Sequence, residues 1–262
     1  MKATLNIFKF VLIDNLKSVW GISYALFVAA STLALVHFTG SFTRSVVSIM
    51  NIVILLTPLI STTLMSMYYF NKTDFLHLLL SQPVKRWSVF FGMYLGVSVT
   101  LCLALVVGLG LGMVLGYQEI EAFKTLWTLM LAGVFLTLIF CAIALFLSVL
   151  SKDKLRGIGL ALAYWLFMAV IFDGLLLMYF IAFSEYPIEE HAIAFTLFNP
   201  IDLSRVFIML QLDVSALLGY SGAVFQKFFG TWTGIGLSIL ALVLWIVLPL
   251  LGLSRTVRRK DY

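Results

Sequence analysis

Six stretches of this chain are each long and apolar enough to cross a lipid bilayer, and no other feature restricts its possible folds so strongly. They run over Ser18–Phe38, Val46–Phe70, Val89–Tyr117, Phe123–Leu150, Gly157–Phe183 and Thr231–Leu253. A membrane-spanning helix needs about 20 apolar residues. Inside lipid no water can satisfy the backbone, so every N–H and C=O must bond within its own segment, and separate apolar runs of this length become helices. Composition agrees: 62% of residues are hydrophobic and 11% charged, against about 25% charged in soluble domains. The spans fill most of the 262 residues, which leaves no room for a soluble catalytic domain. The predicted fold class is all-α, a polytopic membrane protein of six transmembrane helices. An amphipathic interfacial helix over residues 1–17 is predicted to precede them. In that segment Lys2, Lys9 and Lys17 share one face, and Leu5, Phe8 and Leu12 line another. No small-residue cleavage site follows a short apolar core, so the N-terminus does not read as a cleavable signal.

Orientation follows from the basic residues near the span ends. Thirteen of the seventeen Lys and Arg fall in one set of segments: the N-terminal helix, the loop around Lys72, Lys85 and Arg86, the loop with Lys152, Lys154 and Arg156, and the tail from Arg255 to Lys260. Arg44, Lys124, Arg205 and Lys227 lie on the other side. Both termini are therefore predicted to be cytoplasmic and the long 184–230 segment periplasmic, in a bacterial inner membrane. The net charge of +5 is this asymmetry, not a nucleic-acid footprint.

The cytoplasmic loop over residues 71–88 is unusual for such a chain. Asn71 is suited to cap a helix, and Asp74 suits a first turn. Phe75, Leu78 and Leu79 then share one face, and Pro83 ends the helix before it. Lys85, Arg86 and Trp87 anchor the return at the headgroups. The segment Asn71–Gln82 thus reads as a short helix with an apolar face held beneath the membrane. That face either folds against its own bundle or docks on a cytoplasmic partner.

The periplasmic segment carries a second helix signal: Asn199 as cap, Pro200 at the first helical position and Asp202 in the first turn. Leu203, Val206, Phe207 and Leu210 form one face, so Pro200–Leu212 is predicted to lie along the outer interface. Val214–Phe229 reads as a second interfacial or re-entrant piece. Glu185, Glu189, Glu190 and His191 make an acidic stretch, either a solvated loop or a docking surface. Asp173, in the fifth span, is costly in lipid and must face protein or water. It is either a gating or relay group or a hydrogen-bonded structural acid. Gly108, Gly112 and Gly116, with Gly92 and Gly96, have the spacing that lets another helix approach closely, within the chain or across a dimer. Cys102 and Cys141 sit in spans and read as small buried hydrophobes, with a soft-metal path through them and the span methionines as the alternative. No phosphate-cradling GxxxxGK[ST], HExxH, GxSxG or CxxC motif occurs. Neither an enzyme's paired intramembrane acids nor a secondary transporter's repeated halves are evident.

The short helix with "LLLSQPVKRWSVFFGMYLG" and the basic ending "RTVRRKD" resemble the ABC-2 type permeases. "DKLRGIGLALAYWLFMAVIFDGLLL" (Asp153–Leu177) and "LFNPIDLSRV" (Leu197–Val206) resemble the NosY-type branch of that family, which serves copper-site maturation of nitrous oxide reductase. The chain departs from the pattern at Phe10, where such permeases often carry an acid. The resemblance implies that residues 18–262 form a six-span permease domain. It implies that Asn71, Asp74, Phe75, Leu78, Leu79 and Gln82 couple to a separate cytoplasmic ABC ATPase, present in two copies, which binds the ATP and magnesium. The permease itself would bind no cofactor. A second permease copy and a periplasmic accessory protein are implied partners, with Asn199, Pro200, Asp202 and Arg205 as contacts to the latter and Asp173 as gate. An ABC-2 exporter of a lipid, drug or polymer is the alternative.

Overall fold

A computed structural model describes residues 2–39, 42–116, 120–183, 189–211 and 232–259. Every element among them is helical. A short α1 (Lys2–Leu16) leads into α2 (Val19–Thr39), and α3 (Phe42–Asn71) returns. The brief α4 (Thr73–Leu80) precedes the long α5 (Arg86–Gly116) and α6 (Ile120–Leu150). The next span is α7 (Lys154–Leu166) continued by α8 (Phe172–Ala182) through a π-helical stretch, Phe167–Ile171. A bent pair, α9 (Glu189–Phe198) and α10 (Pro200–Gln211), and finally α11 (Trp232–Arg259) complete the order. Among the described residues six helices are long and apolar enough to cross a membrane: Val19–Thr39, Arg44–Asn71, Arg86–Gly116, Leu126–Leu150, Lys154–Ala182 and Gly234–Arg259; a bent pair, His191–Phe198 with Pro200–Met209, would make a seventh if it counts as one span. The chain is an all-α polytopic membrane protein with the six spans its sequence predicts, shifted by a few residues at their ends. Val214–Phe229 and Glu185 lie outside the described residues.

The centre of the bundle is α6, which touches α3, α5, α7, α10 and α11. Leu129, Leu136, Ile139, Phe140 and Leu145 are sealed on it. By contrast α2, α7–α8 and α11 bury little and turn leucines, valines and phenylalanines outward. A lipid-facing surface accepts those side chains as readily as a core does.

Glycines set the close packing of α5. A Cβ on Gly96 would lie 2.4 Å from Val11 Cγ1, and one on Gly112 would lie 2.5 Å from Thr32 Cβ. Gly92 meets Ile7, Gly108 meets Val28 and Gly116 meets Val36. The small-residue stripe therefore seats α1 and then α2 of the same chain, in register along one helix. It also selects the packing face of α1, which is Ile7 and Val11, both buried. Of the apolar face read from the sequence, Phe8 and Leu12 are half-buried and Leu5 is 65% exposed. Short β-branched side chains fit against a glycine groove where longer ones do not.

Proline sits inside two spans, at Pro58 in α3 and Pro249 in α11. A proline disturbs the carbonyls of the preceding turn. At Pro58 the turn is braced by Trp165, whose indole N–H donates to the Leu55 carbonyl at 3.2 Å.

Candidate functional site

Two polar constellations occupy opposite ends of the bundle. The first lies where α1, α3 and α4 meet. α3 continues through Asn71, so Asn71 is the last residue of a span rather than a cap. The cap position of α4 belongs to Lys72, with no side-chain bond to the first-turn amides. The expected capping by Asn71 is thus corrected, because the apolar run holds the chain helical one residue further. Asn71 Oδ1 instead accepts from Lys154 Nζ at 2.8 Å, tying α3 to the start of α7. Lys72 pairs with Asp14 at 3.0 Å, and Tyr68 Oη donates to the same carboxylate at 3.2 Å. Asp14, near the C-terminal end of α1, was not singled out in the sequence; only its charge in an otherwise basic segment could have flagged it.

α4 does not present one uniform apolar face. Leu76 is buried, and Leu79 and Phe75 are half-buried against the bundle. Phe75 stacks on Phe10, with ring centroids 5.1 Å apart. The aromatic departure at Phe10 thus becomes the seat of α4. Leu78 is 67% exposed, and Asp74 and Gln82 are exposed beside it. Of the three apolar side chains assigned to one docking face, Phe75 and Leu79 are engaged within the chain and only Leu78 points away. Packing on α1 and α5 takes the two that reach the protein.

The second constellation forms where α10 bends back. α9 and α10 meet at 114°, and the corner is built by Asn199 and Pro200. Asn199 Oδ1 accepts the Ile201 N–H at 3.0 Å, capping α10 as its sequence predicts. Its amide nitrogen donates to Asp202 Oδ2 and to the Met168 carbonyl, each at 2.9 Å. Met168 lies in the π-helical stretch of the fifth span, where the i→i−4 ladder is interrupted. The irregular turn in one helix therefore supplies the acceptor that fixes the corner of another.

Arg205, one turn along α10, completes the group. Its Nη1 donates to Asp202 Oδ1 at 2.9 Å and to Asp173 Oδ2 at 3.2 Å. Asn199, Asp202 and Arg205 are expected as one contact set and Asp173 as a separate gate or relay group, and the fold brings all four together. Two carboxylates share one guanidinium. Asp173 and Arg205 border a cleft of about 710 Å3 whose other walls include Leu177, Phe180 and Val206. A charge at this depth is tolerated because it is paired and meets an open cleft.

The expected placement of α10 is corrected by its burial. Ile201, Leu203, Ser204 and Ile208 are sealed on nearly all sides, and α10 touches α3, α6 and α11. It is an inserted limb, not a helix lying along an outer surface. Asn199 is 0% exposed, Asp202 8%, and Pro200 is buried, so these residues bond within the chain and do not form an accessible partner contact. Arg205 alone of that set keeps a part-exposed side chain.

The two thiols lie deep in the bundle. Cys141 Sγ is 3.9 Å from the Ser61 carbonyl and Cys102 Sγ 4.0 Å from that of Val134. Each is a weak donor to a neighbouring helix.

Comparison with known proteins agrees with this architecture. Residues 76–258 match the family described as ABC-2 family transporter protein. The chain is 26% identical to a protein of Stutzerimonas stutzeri named "Probable ABC transporter permease protein NosY", over 95% of this chain and 93% of that one. A protein of the same name from Pseudomonas aeruginosa is 27% identical over 79% of this chain and 82% of its own length.

Proposed function

Starting from the fact that this chain belongs to the ABC-2 transporter family and is a permease subunit of an ABC transporter, we propose that it relays motion from a cytoplasmic ABC ATPase to the far side of a bacterial inner membrane. In this reading the ATPase binds ATP and magnesium and seats on the exposed edge of α4. Two permease copies and two ATPase copies form the working unit. The target is the copper-site maturation of nitrous oxide reductase, acting through a periplasmic accessory protein. Both termini then face the cytoplasm.

The observation that carries the reading is the mounting of α4. One side is held to the bundle through Phe75 on Phe10 and through buried Leu76, while Lys72, just before it, is ion-paired to Asp14. The other side leaves Leu78 outside. A lever needs a firm base and a free tip, and α4 has both. Force on Leu78 would pass through α5 into α6, which touches the inserted α10. There the Asp173–Arg205 bond is one of the links between the fifth span and α10 that such a movement would strain, beside the Asn199–Met168 bond.

The test uses Leu78→Asp. Burying a leucine is worth about 1.5–3 kcal/mol, and a charge placed in its contact costs more. The variant should reach the membrane in normal amount and lose its ATPase on purification. Co-purification of the ATPase at wild-type yield would refute the docking assignment. For the target, cells lacking the permease gene are complemented with this chain, and the copper sites of their nitrous oxide reductase are read spectroscopically. Full copper sites without the permease would refute the maturation role.

The second reading, export of a lipid, drug or polymer, is favoured by one observation. The cleft beside Arg205 has mostly apolar walls. Accumulation of a lipid or polymer in the deletion strain, with intact copper sites, would select it.

A further inference from the structure

We infer that the cleft at the α1–α2 break holds the phosphate of a membrane glycerophospholipid. The cleft has a volume of about 420 Å3 and lies between Lys17–Ser18, the last turns of α3 and the flank of α5. Its apolar lining, or floor, includes Leu64, Val97 and Leu101. Its polar lining, or rim, includes Asp14, Asn15, Lys17, Ser18, Tyr68 and Lys72.

Depth points to a lipid headgroup. α2 has 21 residues, about 31 Å of helix, which matches the roughly 30 Å hydrocarbon core. Lys17 and Ser18 immediately precede it, so they stand at the level of the phosphates. α3 and α5 have 30 and 31 residues and run on past that level, where they wall the cleft. Trp20, 62% exposed at the same end of α2, is the residue type found at this depth.

Charge points to an anion. Lys72 is neutralised by Asp14, which also accepts from Tyr68. Lys17 makes no ion pair among the described residues. The cleft therefore keeps one positive charge, directed by Lys17. Ser18 Oγ, which accepts the Trp20 N–H at 3.4 Å, still has its own proton to donate. A phosphodiester would meet Lys17 and Ser18 at the rim, and one acyl chain would lie over Leu64, Val97 and Leu101. A soluble phosphate would leave that floor unused. Basic pockets at span ends bind lipid headgroups on this principle.

The bound lipid would brace the point where α1 turns into α2 and where α3 hands over to α4. The inference rests only on the membrane-spanning character of the chain and stands or falls apart from the docking of an ATPase.

Native mass spectrometry of the full-length protein tests it. The protein is delipidated in detergent and then offered phosphatidylglycerol, diacylglycerol of the same chains, or inorganic phosphate. Wild type should retain one phosphatidylglycerol per chain at an energy that strips the others, and should retain neither diacylglycerol nor phosphate. Lys17→Gln should lower that retention roughly fivefold to tenfold, as expected for one charged contact, and Ser18→Ala should lower it less. Lys152→Gln, which changes an exposed base outside the cleft, should have no effect. Thermal unfolding confirms that each variant is folded. Equal retention by Lys17→Gln and wild type would overturn the site. Retention of inorganic phosphate as tightly as lipid would show a soluble-anion site and overturn the lipid assignment.

Discussion

Arg205 holds two carboxylates through one nitrogen, and those carboxylates are not equivalent. Asp202 is nearly sealed and also accepts from Asn199, whereas Asp173 belongs to another helix and keeps about a third of its side chain exposed. A part-exposed ion pair is worth little, below about 1 kcal/mol. Removing the Asp202 carboxyl would leave the buried Asn199 amide and the Arg205 guanidinium short of an acceptor, at about 1–3 kcal/mol. Asp173→Asn should therefore barely change the unfolding temperature, while Asp202→Ala should lower it clearly. Scanning both purified variants by thermal denaturation checks the order. If Asp173 gates the cycle, its Asn variant should assemble normally yet show reduced coupled activity; wild-type activity would make it structural only. The sequence marks Asp173 by itself and Asn199, Asp202 and Arg205 as one set, because charge in an apolar run and a cap followed by proline are local signals. The joining of Asp173 to that set is not legible, because it depends on the angle of the corner, 114°, and on a π-helical turn that the residues do not announce.

α5 shows how much of an element's packing can be read in advance. The glycine spacing announced a close approach, and the structure places it within the chain, against Ile7 and Val11 of α1 and Val28, Thr32 and Val36 of α2. Gly112→Ala would put a methyl group 2.5 Å from Thr32 Cβ, and overpacking of this kind costs about 1–3 kcal/mol. Gly236→Ala meets nothing within 4 Å and should be neutral or mildly stabilising, since alanine favours helix over glycine by about 1 kcal/mol. Opposite shifts in the unfolding temperature of the two variants check the prediction. The packing face of α1, Ile7 and Val11, is not legible in the sequence, for a reason that applies to any membrane helix. Periodicity identifies apolar positions, but lipid and protein both accept them, so only the shape of the partner decides which of Leu5, Ile7, Phe8 and Val11 turns inward. α4 shows the same limit: Phe75, Leu78 and Leu79 are equally apolar, and what separates them is that Phe10 takes Phe75 and the core takes Leu79.

The whole molecule was the most legible scale, since six long apolar runs can only become six spans. Its orientation is read from the placement of thirteen of seventeen basic residues on one side. Single cysteines at Lys152 and His191, both exposed, placed in a background with Cys102 and Cys141 changed to serine, should react with an impermeant thiol reagent from opposite sides of intact cells. Reaction of both from outside would overturn the topology. The seating of α1 and α2 along α5 also has a consequence for how the protein is made. While the ribosome is still producing α3 and α4, the first span has no groove to enter, and the small side chains meant for the glycines of α5 remain against lipid. The opening third of the polypeptide is thus an unfinished intermediate, dependent on insertion factors and open to membrane proteases until Gly116 emerges. A chain terminated before α5 should be degraded rather than accumulate as a stable fragment.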